Sequence, residues 1–256
     1  LEGALCGGRG LATIACAVRE DALTESREAA LRDSVVHAAE KLDLEASVKI
    51  LPAPDDWEGM ADMVRAYGFG PVVPNTIVMG PPTRASAAAF SSFVELSLRQ
   101  RRNLVLVGDG PEAPGAGGVD IWWRGANANG AFMLALAFLL RQDEKWRART
   151  LRLNMITSPG QPRQAAEERL AAFLQDARVQ AETRVVEGDG RPFLATIAAA
   201  SRDAAVTFVG LRHPEAGEAA GAFGDYVCGL REGLAPLACP VFALAAEDVD
   251  FRKIFA

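Results

Sequence analysis

Apolar positions along this chain switch between a spacing of about two and a spacing of about 3.6, the sign of alternating strands and helices. Residues 11–18 form an apolar run of strand length. Over 24–43, Leu31, Val35, Ala38 and Leu42 are spaced to share one helical face, opposite Arg27, Glu28, Arg32 and Lys41. A short strand over 47–51 stops at Pro52 and Pro54, and Asp55 or Asp56 caps the next helix, which Gly68, Gly70 and Pro71 end. A strand over 76–79 closes at Gly80. A helix over 83–101 points Phe90, Phe93, Val94 and Leu98 inward, and a strand over 104–107 closes at Gly108.

The same order then returns. After a glycine-rich loop over 108–118 come Asp120-Ile-Trp-Trp123 and a strongly apolar helix through Leu140. A strand over 151–156 precedes a helix over 162–177 with Ala166, Leu170, Phe173 and Ala177 inward. Strands follow at 183–187, 205–209 and 241–245, with helices between them and a turn at 188–190. Two passes of strand and helix predict an α/β protein of two similar lobes, each a parallel sheet with helices on both faces. The boundaries are a linker over 1–10, a first lobe over 11–118, a connecting strand and apolar helix over 119–150, and a second lobe over 151–256. Whether the two sheets join depends on edge pairing, which the pattern does not set.

Composition narrows the classes. The chain has 256 residues, half of them apolar, enough to bury a core. With 27 basic against 33 acidic residues, it lacks the positive footprint of a nucleic-acid binder. The longest unbroken apolar run, 131–140, is about half of what a bilayer span requires. With Leu at position 1, the expectation is a processed product or a piece of a longer protein. Cys6, Cys16, Cys228 and Cys239 form no C-x-x-C, and neither His37 nor His213 lies near one, so a metal site is not expected. The thiols read as small packed hydrophobes.

Ligands of such folds sit beyond the carboxyl ends of the strands. The loops there hold no phosphate cradle of known spacing. Gly7-Gly8-Arg9-Gly10 precedes a strand instead of following one, and Gly108-Asp109-Gly110 runs into Pro111 and not into a helix. No G-x-S-x-G elbow is present. His213 with Arg212 stands at a strand end but has no nucleophile beside it, and His37 lies mid-helix, so no catalytic residue is expected. If a nucleotide binds, Gly80, Thr83 and Gly108 are the candidate residues. Trp122 and Trp123 are either an interface anchor or large rings buried against the 131–140 helix.

Four collinear motifs carry a resemblance. Asp120-Ile-Trp-Trp123, then the run from Asn129-Gly130 through Leu139-Leu140-Arg141-Gln142 and Lys145-Trp-Arg147, resembles the cytoplasmic C-terminal domain of cation–chloride cotransporters. The glycine-rich segment from Gly68 to Asn75-Thr76 and Gly80, the run Ser201-Arg-Asp-Ala-Ala205, and Glu232-Gly-Leu234 are similar to segments of that family in the same order. The resemblance implies two lobes like universal stress proteins, with no chemistry, cofactor or metal of their own. It further implies a homodimer hanging at the cytoplasmic face of the membrane, relaying regulation to a transmembrane part that moves chloride with sodium or potassium. Animal members carry a long phosphorylatable insert where this chain has the tight turn 185–192. A prokaryotic source without that control is therefore expected. The alternative is a free-standing, universal-stress-protein-like binder of adenine nucleotides.

Overall fold

The computed structural model describes residues 11–68, 73–110, 117–125, 128–158, 160–188 and 190–248. In chain order the strands are β1 (Ala12–Arg19), β2 (Ala46–Ala53), β3 (Thr76–Met79), β4 (Asn103–Val107), β5 (Val119–Trp122), β6 (Leu151–Thr157), β7 (Glu182–Glu187), β8 (Val206–Gly210) and β9 (Pro240–Leu244). The helices are α1 (Glu25–Lys41), α2 (Asp56–Ala66), α3 (Ala87–Arg99), α4 (Ala128–Leu140), α5 (Glu144–Arg147), α6 (Arg163–Ala177), α7 (Phe193–Ala200) and α8 (Ala222–Leu234). Asp55 caps α2 by accepting from the amides of Trp57 and Glu58. Thr83 and Ser86 form a reciprocal cap on a single 3-10 turn, Arg84–Ser86, so the regular helix starts at Ala87 and not at 83 as expected. The expected helix stop at Gly70 and Pro71, and most of the loop 108–118, lie outside the described residues.

Seven strands share one sheet, in the order β3-β4-β9-β8-β5-β6-β7. Every pairing is parallel except β4 with β9, which run antiparallel with Leu104 opposite Leu244 and Val107 opposite Val241. Strands from the two halves of the chain therefore continue each other, where the sequence suggested a parallel sheet for each. Gly108 makes this junction fit. Its amide donates to the Pro240 carbonyl at 2.8 Å, and a Cβ there would stand 2.9 Å from the Pro240 ring. The remaining strands, β1 and β2, pair only with each other, in a parallel two-stranded sheet.

Side chains alternate across the large sheet and build two cores. On one face Val119, Ile121, Leu153, Phe208 and Val241 pack under α4 and α6. On the other, Leu104, Leu106, Trp122, Phe242 and Leu244 pack under α2, α3, α7 and α8. Helix α4 is apolar all round, and ten of its residues are buried, which is the burial such a sequence requires. Helix α6 buries Ala166, Leu170 and Ala177 as the spacing predicted, with Phe173 half-buried. Helix α1 does not follow its spacing. Only Ala39 is buried, while Leu42 is 70% exposed, because α1 rests on β2 alone among its larger contacts.

The halves also meet through helices. Gly224 of α8 lies against the Ala87 backbone of α3, so close that a Cβ at Gly224 would collide with the Ala87 carbonyl. The Ser91 hydroxyl accepts from the Gly224 amide at 2.9 Å while donating to the Ala87 carbonyl at 2.9 Å. The rings of Phe90 and Phe223 stack at 6.2 Å beside this contact. Gly229, five residues further along α8, has open space where a Cβ would stand. Gly224→Ala should therefore destabilise the fold by about 1–3 kcal/mol through overpacking. Gly229→Ala should stabilise it by up to about 1 kcal/mol through helix propensity. Urea midpoints of the two variants check this, and equal midpoints would remove the close helix contact from the account.

Candidate functional site

In a doubly wound sheet the crevice forms where neighbouring strands send their connections to opposite faces. Here β5 pairs with both β6 and β8, and α4 after β5 lies on one face while α8 after β8 lies on the other. A cavity of about 290 Å3 opens at the carboxyl ends of β5 and β8. Trp122, Arg124, Phe193, Gly210, Arg212 and Tyr226 are among its lining residues. The Arg124 guanidinium lies 4.9 Å over the Phe193 ring. Arg212 lies 4.8 Å over Tyr226 and 5.4 Å over Phe223, and its fork reaches Glu218 at 2.7 Å. That hydrogen bond holds the Glu218 carboxyl below the ordinary carboxylate range. Arg212 is thus neutralised, and Arg124 supplies the cavity's positive charge.

Asn129 fixes the floor of the crevice. From the first turn of α4 its amide nitrogen donates to the Leu211 carbonyl, and its amide oxygen accepts from the Ala245 amide at 2.7 Å. One side chain thereby ties the start of α4 to the ends of β8 and β9. Gly210 leaves room for it, since a Cβ there would sit 3.1 Å from the Asn129 Cβ.

The tryptophan pair straddles the sheet. Trp122 joins the core under α7 and α8, whereas Trp123 joins the core under α4 and α6. The Trp123 indole stacks on Phe173 at 5.2 Å. Trp122 Nε1 donates to Ser201 Oγ at 2.9 Å, and Ser201 donates to the wholly buried Asp120 carboxylate at 2.6 Å. Arg152 closes the chain on the other oxygen of Asp120, also at 2.6 Å. Asp120 and Ser201, which the sequence showed only as parts of motifs, thus join Trp122 in one buried polar chain bracing β5, β6 and the turn before β8.

The residues singled out as nucleotide candidates do not form one pocket. Gly80 is exposed with open space around it, Thr83 caps the 3-10 turn before α3, and the Gly108 amide is spent on Pro240. His213 is exposed beside Arg212, and His37 lies exposed on α1 near Glu40. Burial raises the thiols of Cys16, Cys228 and Cys239, so these are not ready nucleophiles. Among the described residues, no cluster of three or more His, Cys, Asp or Glu is placed to hold a metal ion, and no helix is long and apolar enough to cross a membrane. A wider open groove, about 690 Å3, runs between α2, α3 and the end of β1, with Arg19, Asp55, Trp57, Asp62, Arg65 and Arg99 along it.

The sequence reading did not single out Arg124, Phe193 or Tyr226 as residues of a cavity. A signal existed for Arg124: it follows its strand as Arg19 ends β1. Phe193 and Tyr226 approach the cavity only through the packing of α7 and α8, which spacing alone does not reveal.

The chain has a universal-stress-protein-like α/β fold. No family model matches it. The cytoplasmic domain of a prokaryotic cation chloride cotransporter superposes with a TM-score of 0.59 at 16% identity, covering 92% of this chain and 96% of that one. A universal stress protein from Archaeoglobus fulgidus superposes with a TM-score of 0.54 at 13% identity, over 93% of this chain and 89% of its own. A Pseudomonas aeruginosa protein named as a universal stress protein gives 0.54 at 14% identity, over 94% and 86%.

The buried chain through Ser201 yields a direct test. Ser201→Ala leaves the Trp122 N–H and one Asp120 oxygen without partners, and an orphaned buried group costs about 1–3 kcal/mol. The expected destabilisation is about 2 kcal/mol or more, against less than about 0.5 kcal/mol for the exposed Ser92→Ala. Denaturant titration of both variants checks it.

Proposed function

We propose that this chain is the cytoplasmic regulatory and dimerisation domain of a prokaryotic membrane transporter that moves chloride with sodium or potassium. The observation that carries the reading is the near-complete mutual coverage with the cotransporter domain, 92% and 96%, alongside four sequence motifs in the family's order. In this reading the chain is not an enzyme. Its work is mechanical: a rigid sheet core passes a change in contact or assembly to a membrane part of the same polypeptide. The domain stands at the cytoplasmic face of the membrane and pairs with a second copy. Sedimentation at tens of micromolar should give a dimer, and the coding sequence upstream should encode membrane-spanning helices. A monomer at those concentrations overturns the dimer, and an upstream frame without such helices overturns the whole reading.

A second reading is favoured by one feature, the cavity at the carboxyl ends of β5 and β8. In it the chain is a free-standing universal-stress-protein-like binder of an adenine nucleotide, and the site lies in the second half, not at Gly80, Thr83 and Gly108. Arg124 would meet the phosphates and Tyr226 the base. Titration calorimetry with ATP decides between the two. Micromolar binding that is lost in Arg124→Gln supports the second reading, and no heat with a folded protein overturns it.

A further inference from the structure

We propose that the open groove between α2 and α3 is the surface on which a second copy of this chain docks, inverted about a two-fold axis across the groove. Such docking rests on the dimer of the transporter reading and gives that dimer a face. The groove, about 690 Å3, exists because its two walls stand on different supports: α2 sits on β1 and β2, whereas α3 sits on β4 and α8. Its floor holds the buried side chains of Phe93 and Leu96, and Ala61, Ala89 and Ser92 stand beside them as small side chains. Walls this low let a helix of another chain approach to the roughly 8–10 Å of ordinary helix packing.

Charge is sorted by sign along the groove. Trp57, in the first turn of α2, packs edge-on against Phe90 and Phe93 at 6.1 and 5.9 Å, so α2 and α3 begin at the same end. Asp55, Asp56 and Glu58 crowd that end. Arg65 and Arg99 line the other, and at about 1.5 Å per residue Arg99 lies about 9 Å beyond Phe93. Two of the groove's arginines are spent within one copy, Arg19 on Asp21 at 2.6 Å and Arg65 on Asp62 at 2.8 Å. Asp55 is likewise spent, on the amides that it caps. Asp56 and Glu58 at one end and Arg99 at the other are exposed, and no ion pair among the described residues takes up their charges.

A surface of one sign repels its own copy, whereas a surface with opposite signs at its two ends attracts an inverted one. A two-fold axis across the middle of the groove sets Arg99 of each copy at Asp56 and Glu58 of the other, and makes that contact twice. Between these ends the low, apolar middle of one groove faces the same stretch of the other. A small molecule finds no such match, because the free charges lie at opposite ends and the groove's other charges are already engaged. Salt screens pairs of this exposed kind, so the dimer weakens as ionic strength rises.

Sedimentation at low salt of the native chain, Glu58→Arg and Arg99→Glu tests this, with folding verified by circular dichroism. Each variant alone should associate at least about tenfold more weakly than the native chain, because one reversal turns both symmetry-related attractions into repulsions. Mixing the two variants should restore a dimer, since each reversed charge then meets its opposite on the other chain. Variants as dimeric as the native chain overturn the groove as the interface and leave the dimer standing on another face. Variants that dissociate and do not recover on mixing overturn the inverted pairing. A native chain that stays monomeric at tens of micromolar overturns this face and the dimer together, and leaves the groove to a different partner. Native assemblies larger than a dimer overturn the closed two-fold.

Discussion

The antiparallel pairing of β4 with β9 is the constraint on which the architecture depends. Strands on either side of it are parallel to their neighbours, so this one ladder decides that the halves form a continuous sheet. Its fit is steric as much as hydrogen-bonded. Gly108 lets the Pro240 ring approach, and on the face above, Gly224 lets α8 lie on the backbone of α3. Each contact needs a residue without a Cβ.

From that junction outward, burial is uneven. Around β5 both faces are covered, and the apolar helix α4 buries ten of its thirteen residues there. Around β1 most side chains are only half-buried, and α1 keeps most of its surface in water. Local opening costs least where few apolar contacts must break. The second half accordingly forms the rigid part of the molecule, and the β1–β2 pair with α1 the adjustable part.

Much of this order was legible in the sequence because strands and helices alternate at their own periods. The strand at 76–79, the apolar helix ending at Leu140 and the inward face of α6 follow directly from spacing. What spacing could not carry was pairing between distant segments. Nothing near Val107 says that it lies opposite Val241, and nothing near Leu31 says that its helix has so little to rest on. The site divides the same way. Trp122 and Trp123 stood out by composition, but their division between two cores follows from strand alternation at a known position in the sheet. Ser201 lay in a recognisable motif, yet its role needs Asp120 and Trp122, some eighty residues earlier in the chain.

The reversal at β4 and β9 also gives the molecule a direction. The carboxyl ends of β3 and β4 point one way along the sheet, and those of β5, β6, β7, β8 and β9 point the other. Whatever each half presents at its strand ends is thus presented at opposite poles. A partner resting on one pole leaves the other facing away from it, and the continuous sheet between them is a stiff beam joining the two ends.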